Sequence, residues 1–257
     1  MNSKFGGFGK NDISPSRWGL LLQCPAKAHA KYVAKTLPSE ESVPLSVGDL
    51  IHKALASVGQ VKLDTHTLGT PMTEQELRNS LDPSPDPEVM AKAHELAAIC
   101  WNRIDLSKAI AFETEFRVDL GETGGLGGQH GRLGGFMDRV DKLQDGSILV
   151  IDYKTGFDVK DHDELAYDPQ AIAYLIAARE LYPQAPRVGF KLHYVARNMT
   201  TGPIWWNERM DAWGRRAALA ALHRFLYHNM FKWPERLGPF CGSCGLRTTC
   251  KAYTTDA

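Results

Sequence analysis

The chain has 257 residues, 43% hydrophobic and 23% charged, a globular composition long enough to bury one elaborated domain or a domain with a small cap. It contains no run of about eighteen apolar residues, so no membrane span is expected. Met1 to Asp12 is polar and Gly-rich without the apolar stretch of a secretory leader, and a cytoplasmic location is expected. Basic and acidic residues number 30 each. This balance removes bulk basicity as a sign of nucleic-acid binding without excluding it, since Lys and Arg elsewhere can offset a site built from carboxylates.

Residues 1–12 read as a flexible arm. Ser14 to Lys35 reads as a helix with Ser14 as N-cap and Pro15 at its first position. Leu37 to Pro44 reads as a loop, and Val47 to Val58 as a short helix carrying His52. Residues 60–87, with the Asp82-Pro83-Ser84-Pro85-Asp86-Pro87 run, read as non-helical, and helical periodicity returns over Glu88 to Arg103. Ala109 to Leu120 reads as a strand, Gly121 to Gly128 as a hairpin connection, and Gly131 to Leu143 as a second strand. After the tight turn at Asp145-Gly146, Ser147 to Thr155 is a third strand. Its Ile148-Leu149-Val150-Ile151 core has no polar face and predicts a central strand covered on both sides. Glu164 to Tyr182 reads as a helix, Arg187 to Ala196 as a fourth strand, and Asn207 to Phe231 as a long helix before a cysteine-rich tail. These elements predict an α/β class.

The stretch with the most chemistry is Gly134-Gly135-Phe136-Met137-Asp138-Arg139-Val140-Asp141, then a turn, then Ile151-Asp152-Tyr153-Lys154-Thr155-Gly156. Asp152 and Lys154 project from one strand face, and a hairpin can bring Asp138 beside Asp152. Two carboxylates and a lysine at the end of a central strand are costly to bury unless compensated. A divalent cation such as Mg2+ compensates them and keeps positions open for phosphate. It would polarise a phosphodiester and make a nucleophilic water available near neutral pH. Lys154 would hold that water or offset charge on the phosphate. Asp-x-Lys alone is a weak pattern that a salt bridge explains equally well; the apolar strand before it and the Asp138 block beside it favour a site. Asp141 has the opposite parity from Asp138 and should face away.

These residues resemble the RecB-like branch of the PD-(D/E)xK nucleases, including CRISPR-associated RecB-like exonucleases and AddB-type nuclease domains. The resemblance runs over about positions 14–250 through Gly48-Asp49-Leu50-Ile51-His52, the Asp138 block, Asp152 to Gly156, and Gln170 to Tyr174. Met137 stands where the superfamily name has Pro. The resemblance implies a restriction-endonuclease-like core, a mixed sheet flanked by helices, over 109–206. A helical part over 13–108 would precede it, and a helix with a cysteine-rich segment over 207–257 would follow. It further implies His52, Asp138 and Asp152 as ligands of Mg2+ or Mn2+, Lys154 as the catalytic lysine, and Gln170 and Tyr174 turned toward the site or the DNA. Gln170 and Tyr174 share a helix face at four-residue spacing, which an ordinary surface would equally show. Glu115 either touches the site or is an exposed strand residue.

Five cysteines without a leader argue against a disulfide framework. Cys241, Cys244 and Cys250 fall within ten residues and point to metal ligation, with Cys24 as the natural fourth. Zinc and an iron–sulfur cluster both accept four thiolates. The resemblance implies a [4Fe–4S] cluster, because cluster-bearing RecB-like nucleases carry one cysteine before the core and three after it. Cys100, between Ile99 and Trp101, reads as a buried thiol. Lys27, Lys31 and Lys35, and Arg215, Arg216 and Arg224, could track phosphates. Trp18, Trp205 and Trp206 could stack on bases, although such side chains more often belong to solvated faces or the core. The expectation is therefore a metal-dependent DNA nuclease acting on single strands or ends. Its alternatives are an assembly subunit of a recombination or CRISPR spacer-acquisition complex and a zinc-stapled protein without catalysis.

Overall fold

The computed structural model describes residues 9–37, 43–123, 130–156 and 158–254. Its elements in chain order are β1 (Asp12–Ile13), α1 (Pro15–Gln23), α2 (Pro25–Tyr32), α3 (Val43–Asp64), α4 (Glu74–Asn79), α5 (Pro87–Cys100), β2 (Ala109–Glu122), β3 (His130–Lys142) and β4 (Ile148–Lys154). They continue with α6 (His162–Ala166), α7 (Pro169–Leu181), β5 (Val188–Tyr194), β6 (Met199–Thr200), β7 (Ile204–Trp205), α8 (Glu208–Leu226) and α9 (Lys251–Thr254). The strands form one mixed sheet in which β3 pairs antiparallel with β2 and β4, β4 pairs parallel with β5, and β6 and β7 pair antiparallel with β5. The predicted α/β class holds.

Helices cover both faces of the sheet. One apolar cluster joins Trp18 and Leu21 of α1, the run from Ala171 to Ala178 of α7, and Ala218 and Leu222 of α8 to Val140, Val150 and Phe190. The other joins Ile51 and Leu55 of α3, Leu77 of α4 and Ala93 of α5 to Phe112, Leu149, Ile151 and Tyr153. β4 is buried from Ile148 to Tyr153, as its unbroken apolar run predicts. Helix α7 is buried all round from Ala171 to Ala178, the pattern of a helix between two layers rather than at a surface. None of the described helices is long and apolar enough to cross a membrane.

Several element boundaries differ from the sequence reading. The helix expected over Ser14–Lys35 is two helices. Its Ser14 cap is present, with Oγ accepting from Arg17 N at 3.2 Å. At Cys24 the backbone swings to φ −154 and ψ 108, because the residue before a proline is driven out of the helical region. Lys35 therefore lies beyond α2, at φ 53, and the expected stripe of three lysines does not form on one helix. The same rule splits the helix expected over Glu164–Tyr182 at Asp168-Pro169. The short helix expected over Val47–Val58 extends over Val43–Asp64. Within 60–87, read as non-helical, α4 starts at a capping box between Thr73 and Glu76, an interaction that satisfies two otherwise orphaned N–H groups. The late helix stops at Leu226, short of Phe231.

The arm expected over 1–12 ends earlier than its boundary. Asp12 is buried, bonds Arg132 Nε at 2.7 Å, and pairs with β3 in parallel; residues 1–8 lie outside the described residues. The hairpin connection falls largely on 124–129, which also lie outside them, as do residues 38–42 of the loop expected before α3. Cys100 is the buried thiol expected, and burial pushes its pKa up to about 11.

On the face of the sheet opposite α7, Arg139 grips Asp141 through two bonds of 2.5 and 2.7 Å and donates to Tyr153 OH at 3.3 Å. His193 lies beside this group on β5. Burial, then Lys191 and Arg139, push its pKa down to about 4. In the unfolded chain the ring takes up a proton near pH 6.5, so between about 6.5 and 4 the unfolded state binds more protons. Stability then falls as pH falls through that window. His193→Gln is expected to flatten this slope by on the order of 1 kcal/mol, after discounting the shift for the ring's partial exposure. Denaturant midpoints taken across that pH range would show it, and an unchanged slope would reject the assignment.

Candidate active site

The site forms where β3 and β4 part company. Their ladder pairs Lys142 with Ile148 and continues as far as Arg139 with Ile151. Beyond that point Asp138 Oδ2 accepts the N–H of Tyr153 at 2.9 Å, so a carboxylate occupies the place of a ladder carbonyl. Asp138 is thereby fixed one strand away from Asp152.

Helix α3 reaches this point because of Gly48. A Cβ there would sit 3.0 Å from Thr155 Oγ1, so the missing side chain allows the helix to pass close to the end of β4. One turn later His52 lies on the same helix face, with Nδ1 3.1 Å from Asp138 Oδ2. Burial works against the imidazolium, but the bond and charge of Asp138, aided by Asp152, outweigh it and hold its pKa above the ordinary value. Burial likewise works against the Asp138 carboxylate, and His52 and the Tyr153 N–H prevail to keep its pKa low.

Asp152 is 2% exposed. Burial, with the charge of Asp138, raises its pKa above the ordinary value against the opposing pull of Lys154. Its Oδ1 accepts from Gln170 Nε2 at 2.8 Å. Lys154 Nζ lies 2.6 Å from Oδ2 but off the direction of a hydrogen bond, which leaves that buried oxygen without a directed donor. Lys154 also donates to Gln170 Oε1 at 2.9 Å. Burial disfavours its ammonium, yet Asp152, Asp138 and Asp168 raise its pKa.

Gln170 stands in the first turn of α7, whose N-cap Asp168 accepts from the N–H groups of Gln170 and Ala171. One amide thus spans the acid and the lysine, and its Nε2 also lies 3.1 Å from Tyr174 OH. Tyr174 is a core ring set edge-on to Phe116, and burial pushes its phenol well above the ordinary pKa. The structure therefore brings together His52, Asp138, Asp152, Lys154 and Gln170, with Tyr174 behind Gln170.

Glu115 does not join them: it is exposed and pairs with Arg117 at 3.1 Å. Sequence reasoning did not single out Glu113. The β2–β3 register runs from Phe112–Arg139 to Thr114–Met137, which sets Glu113 level with Asp138, and its backbone turns to φ 45. Its charge is felt at both Tyr174 and Lys53. Trp18 is a core residue at 1% exposure, Trp205 lies under the Arg187 guanidinium, and Trp206 bonds Asp211. Arg215 is held by Asp211 and Glu180, and Arg224 lies over Trp233.

The donor set suits a divalent cation in its chemistry, since hard cations take carboxylate oxygens and Asp152 presents one that is buried and without a directed donor. In this arrangement His52 is turned onto Asp138, and among the described residues no three His, Cys, Asp or Glu side chains converge as a ready-made ion cage. Away from this site, Cys24, Cys241, Cys244 and Cys250 line one cavity of about 120 Å³, with Lys27, Glu235, Arg236 and Arg247 around it. Two bonds hold the contributing segments together: Ala26 N donates to Pro234 O at 3.1 Å, and the Arg236 guanidinium donates to Leu22 O.

The sequence profile of the PD-(D/E)XK nuclease superfamily matches residues 12–251. The chain belongs to that superfamily. Members of this nuclease superfamily typically use Mg2+ or Mn2+. No curated protein matches the chain. Among solved structures, the crystal structure of SSO0001 is similar to this nuclease-superfamily chain at TM-score 0.52 and 14% identity, over 96% of this chain and 90% of that one; at that identity it supports the fold. A "Putative exonuclease" from Eubacterium rectale aligns at TM-score 0.49 and 15% identity, over 96% of this chain and 89% of that one.

Proposed function

We propose that this superfamily member is a divalent-metal-dependent deoxyribonuclease that degrades DNA from single strands or open ends, with a [4Fe–4S] cluster clasping its N- and C-terminal segments. The observation that carries the catalytic reading is the pair Asp138 and Asp152 set across the β3–β4 divergence, with Lys154 and Gln170 on the second acid. Asp138, Asp152 and His52 would hold Mg2+ or Mn2+, with His52 swinging from Asp138; the ion would polarise the scissile phosphate and lower the pKa of the attacking water. Lys154, whose proton its neighbours retain, acts as a cation and donor toward the attacking water or the phosphate rather than as a base. Gln170 fixes the separation of Lys154 from Asp152. A single geometry is thereby favoured before substrate arrives, the condition under which such groups lower a barrier most. In this reading residues 109–206 form the nuclease core, and 13–108 supply His52 and Cys24.

The cluster reading is supported by the four thiols that line one cavity. Joining segments more than two hundred residues apart restricts a very long loop.

Anaerobically purified protein is expected to be brown, to contain iron, and to degrade end-labelled DNA with Mg2+ or Mn2+ but not with EDTA. Cys244→Ala should lose iron and melt earlier. Iron-free, colourless protein of normal stability would remove the cluster, and absence of cleavage from iron-loaded protein would leave a subunit working inside a recombination or CRISPR spacer-acquisition complex.

A further inference from the structure

Tyr167 is the most exposed aromatic ring among the described residues, at 76%. Isolated exposed apolar side chains are common and need no explanation, so its position must decide what it means. The other exposed aromatics, Trp213, Tyr227, Phe231 and Tyr253, belong to α8 and the segment after it. Tyr167 instead closes α6 and directly precedes Asp168, the N-cap of the helix that carries Gln170. Consecutive Cα atoms are 3.8 Å apart, so its Cα lies at most ~11 Å from that of Gln170. Asp168 in turn lies close enough to Lys154 for its charge to be felt there. Tyr167 is therefore joined by a single peptide to a residue whose charge reaches the acid–lysine site.

Its support is firm. Helix α6 is closed at its start by a reciprocal cap between Asp161 and Glu164, and Leu165, at 0% exposure, anchors it in the core beneath α7. Ala166 packs against the same core. With Leu165 and Ala166 turned inward, Tyr167 is presented outward from a fixed base. The next residue, Asp168, is ion-paired with the half-exposed Lys160, whose backbone N–H donates to Tyr194 OH at 3.0 Å. An exposed flat ring in the segment that leads into the helix carrying Gln170 offers a surface for the face of an unpaired base. A base inside a duplex has both faces already stacked and offers the ring nothing.

We propose that Tyr167 is the platform on which a base flanking the scissile phosphate stacks, so that the site selects unpaired nucleic acid. This rests on the nuclease reading above. Stacking of a base on an aromatic ring contributes ~1–3 kcal/mol, which corresponds to about 5- to 150-fold in affinity. The probe is a fluorescein-labelled oligothymidylate of about twelve nucleotides, followed by anisotropy with Ca2+ in place of the catalytic ion. Tyr167→Ala should weaken binding by that factor with an unchanged melting temperature, and Tyr167→Trp should restore it. A series of probes carrying one abasic position should contain one that binds the wild type as weakly as the intact probe binds Tyr167→Ala, and removal of that base should cost the alanine variant nothing further. Equal affinity of Tyr167→Ala and wild type, or an equal abasic penalty in both, would overturn the stacking role alone. If the wild type bound neither the oligothymidylate nor a duplex of the same length, the nucleic-acid reading itself would fall, and the stacking role with it.

Discussion

Asp152→Asn is expected to lower DNA cleavage at least ~1000-fold while leaving the melting temperature within a few degrees of the wild type. The two halves of this expectation have one cause. Asp152 is a buried carboxylate whose pKa burial has raised, so the fold shelters a charge it would more readily hold neutral. Asparagine keeps the volume and an amide oxygen for one of the contacts at Oδ1 and Oδ2, and it removes the charge. What it removes from function is larger, because the anionic oxygen without a directed donor is the one a divalent cation would take. Lys154 keeps Gln170 and the charges of Asp138 and Asp168 nearby, so its ammonium is not stranded. Cleavage of end-labelled DNA beside thermal unfolding reads both quantities. Wild-type cleavage by this variant would remove Asp152 from the site. A drop of more than ~10 °C would show that the carboxylate serves the fold instead.

Gly214→Ala is expected to act on both quantities from a distance. A Cβ at 214 would meet Ile172 Cγ2 at 2.4 Å and Ile176 Cδ1 at 2.9 Å, so α8 can lie against α7 only because that position carries no side chain. Helix α7 is packed on its other sides by the sheet and α1, and it has little room to retreat. Overpacking of this kind costs about 1–3 kcal/mol, or about 2–10 °C for a chain of this size. Whatever displacement relieves the clash moves the helix whose first turn carries Gln170, and a shift of ~1 Å in a positioning group can cost ~100-fold in rate. Ile172→Ala removes the atom in the way. The double variant should therefore be more stable than the two single changes summed, the sign of direct coupling. Strict additivity, or a Gly214→Ala protein of unchanged melting temperature, would show that α8 has slack.

The acid–lysine pair was legible in the sequence because strand alternation is a geometric constraint. Asp152 and Lys154 must share a face, and an apolar run such as Ile148 to Ile151 must be central. His52 was legible through its spacing from Gly48, and the physical content of that spacing is a close approach and one helical turn. The helices read through Cys24-Pro25 and Asp168-Pro169 erred in a correctable way. A proline preceded by a capping residue marks a helix start, and Asp168-Pro169-Gln170 carried that signal in full. The capping box at Thr73 and Glu76 was also present, in the stretch whose proline run led to a non-helical reading. Glu113 is different in kind. In the sequence it is one of two glutamates, 113 and 115, at strand spacing. What separates them is a single left-handed backbone step, and no residue type at that position announces it.

Strand β1 and the bond from Ala26 to Pro234 also set the order in which the molecule can be finished. Translation at about 5–20 residues per second leaves some 10–40 s between the emergence of α1 and that of the segment that holds it. During that interval Trp18 and Leu21 have no α8 to cover them, and β1 waits for a partner more than a hundred residues downstream. The elements that carry the acids and the lysine can assemble first, as a sheet with its β2, β3 and β4 neighbours close in sequence. The bond from Ala26 to Pro234 closes last. A growing chain therefore carries an apolar helix in search of a lid while everything between α1 and α8 is made, and α1 is protected after the sheet that follows it.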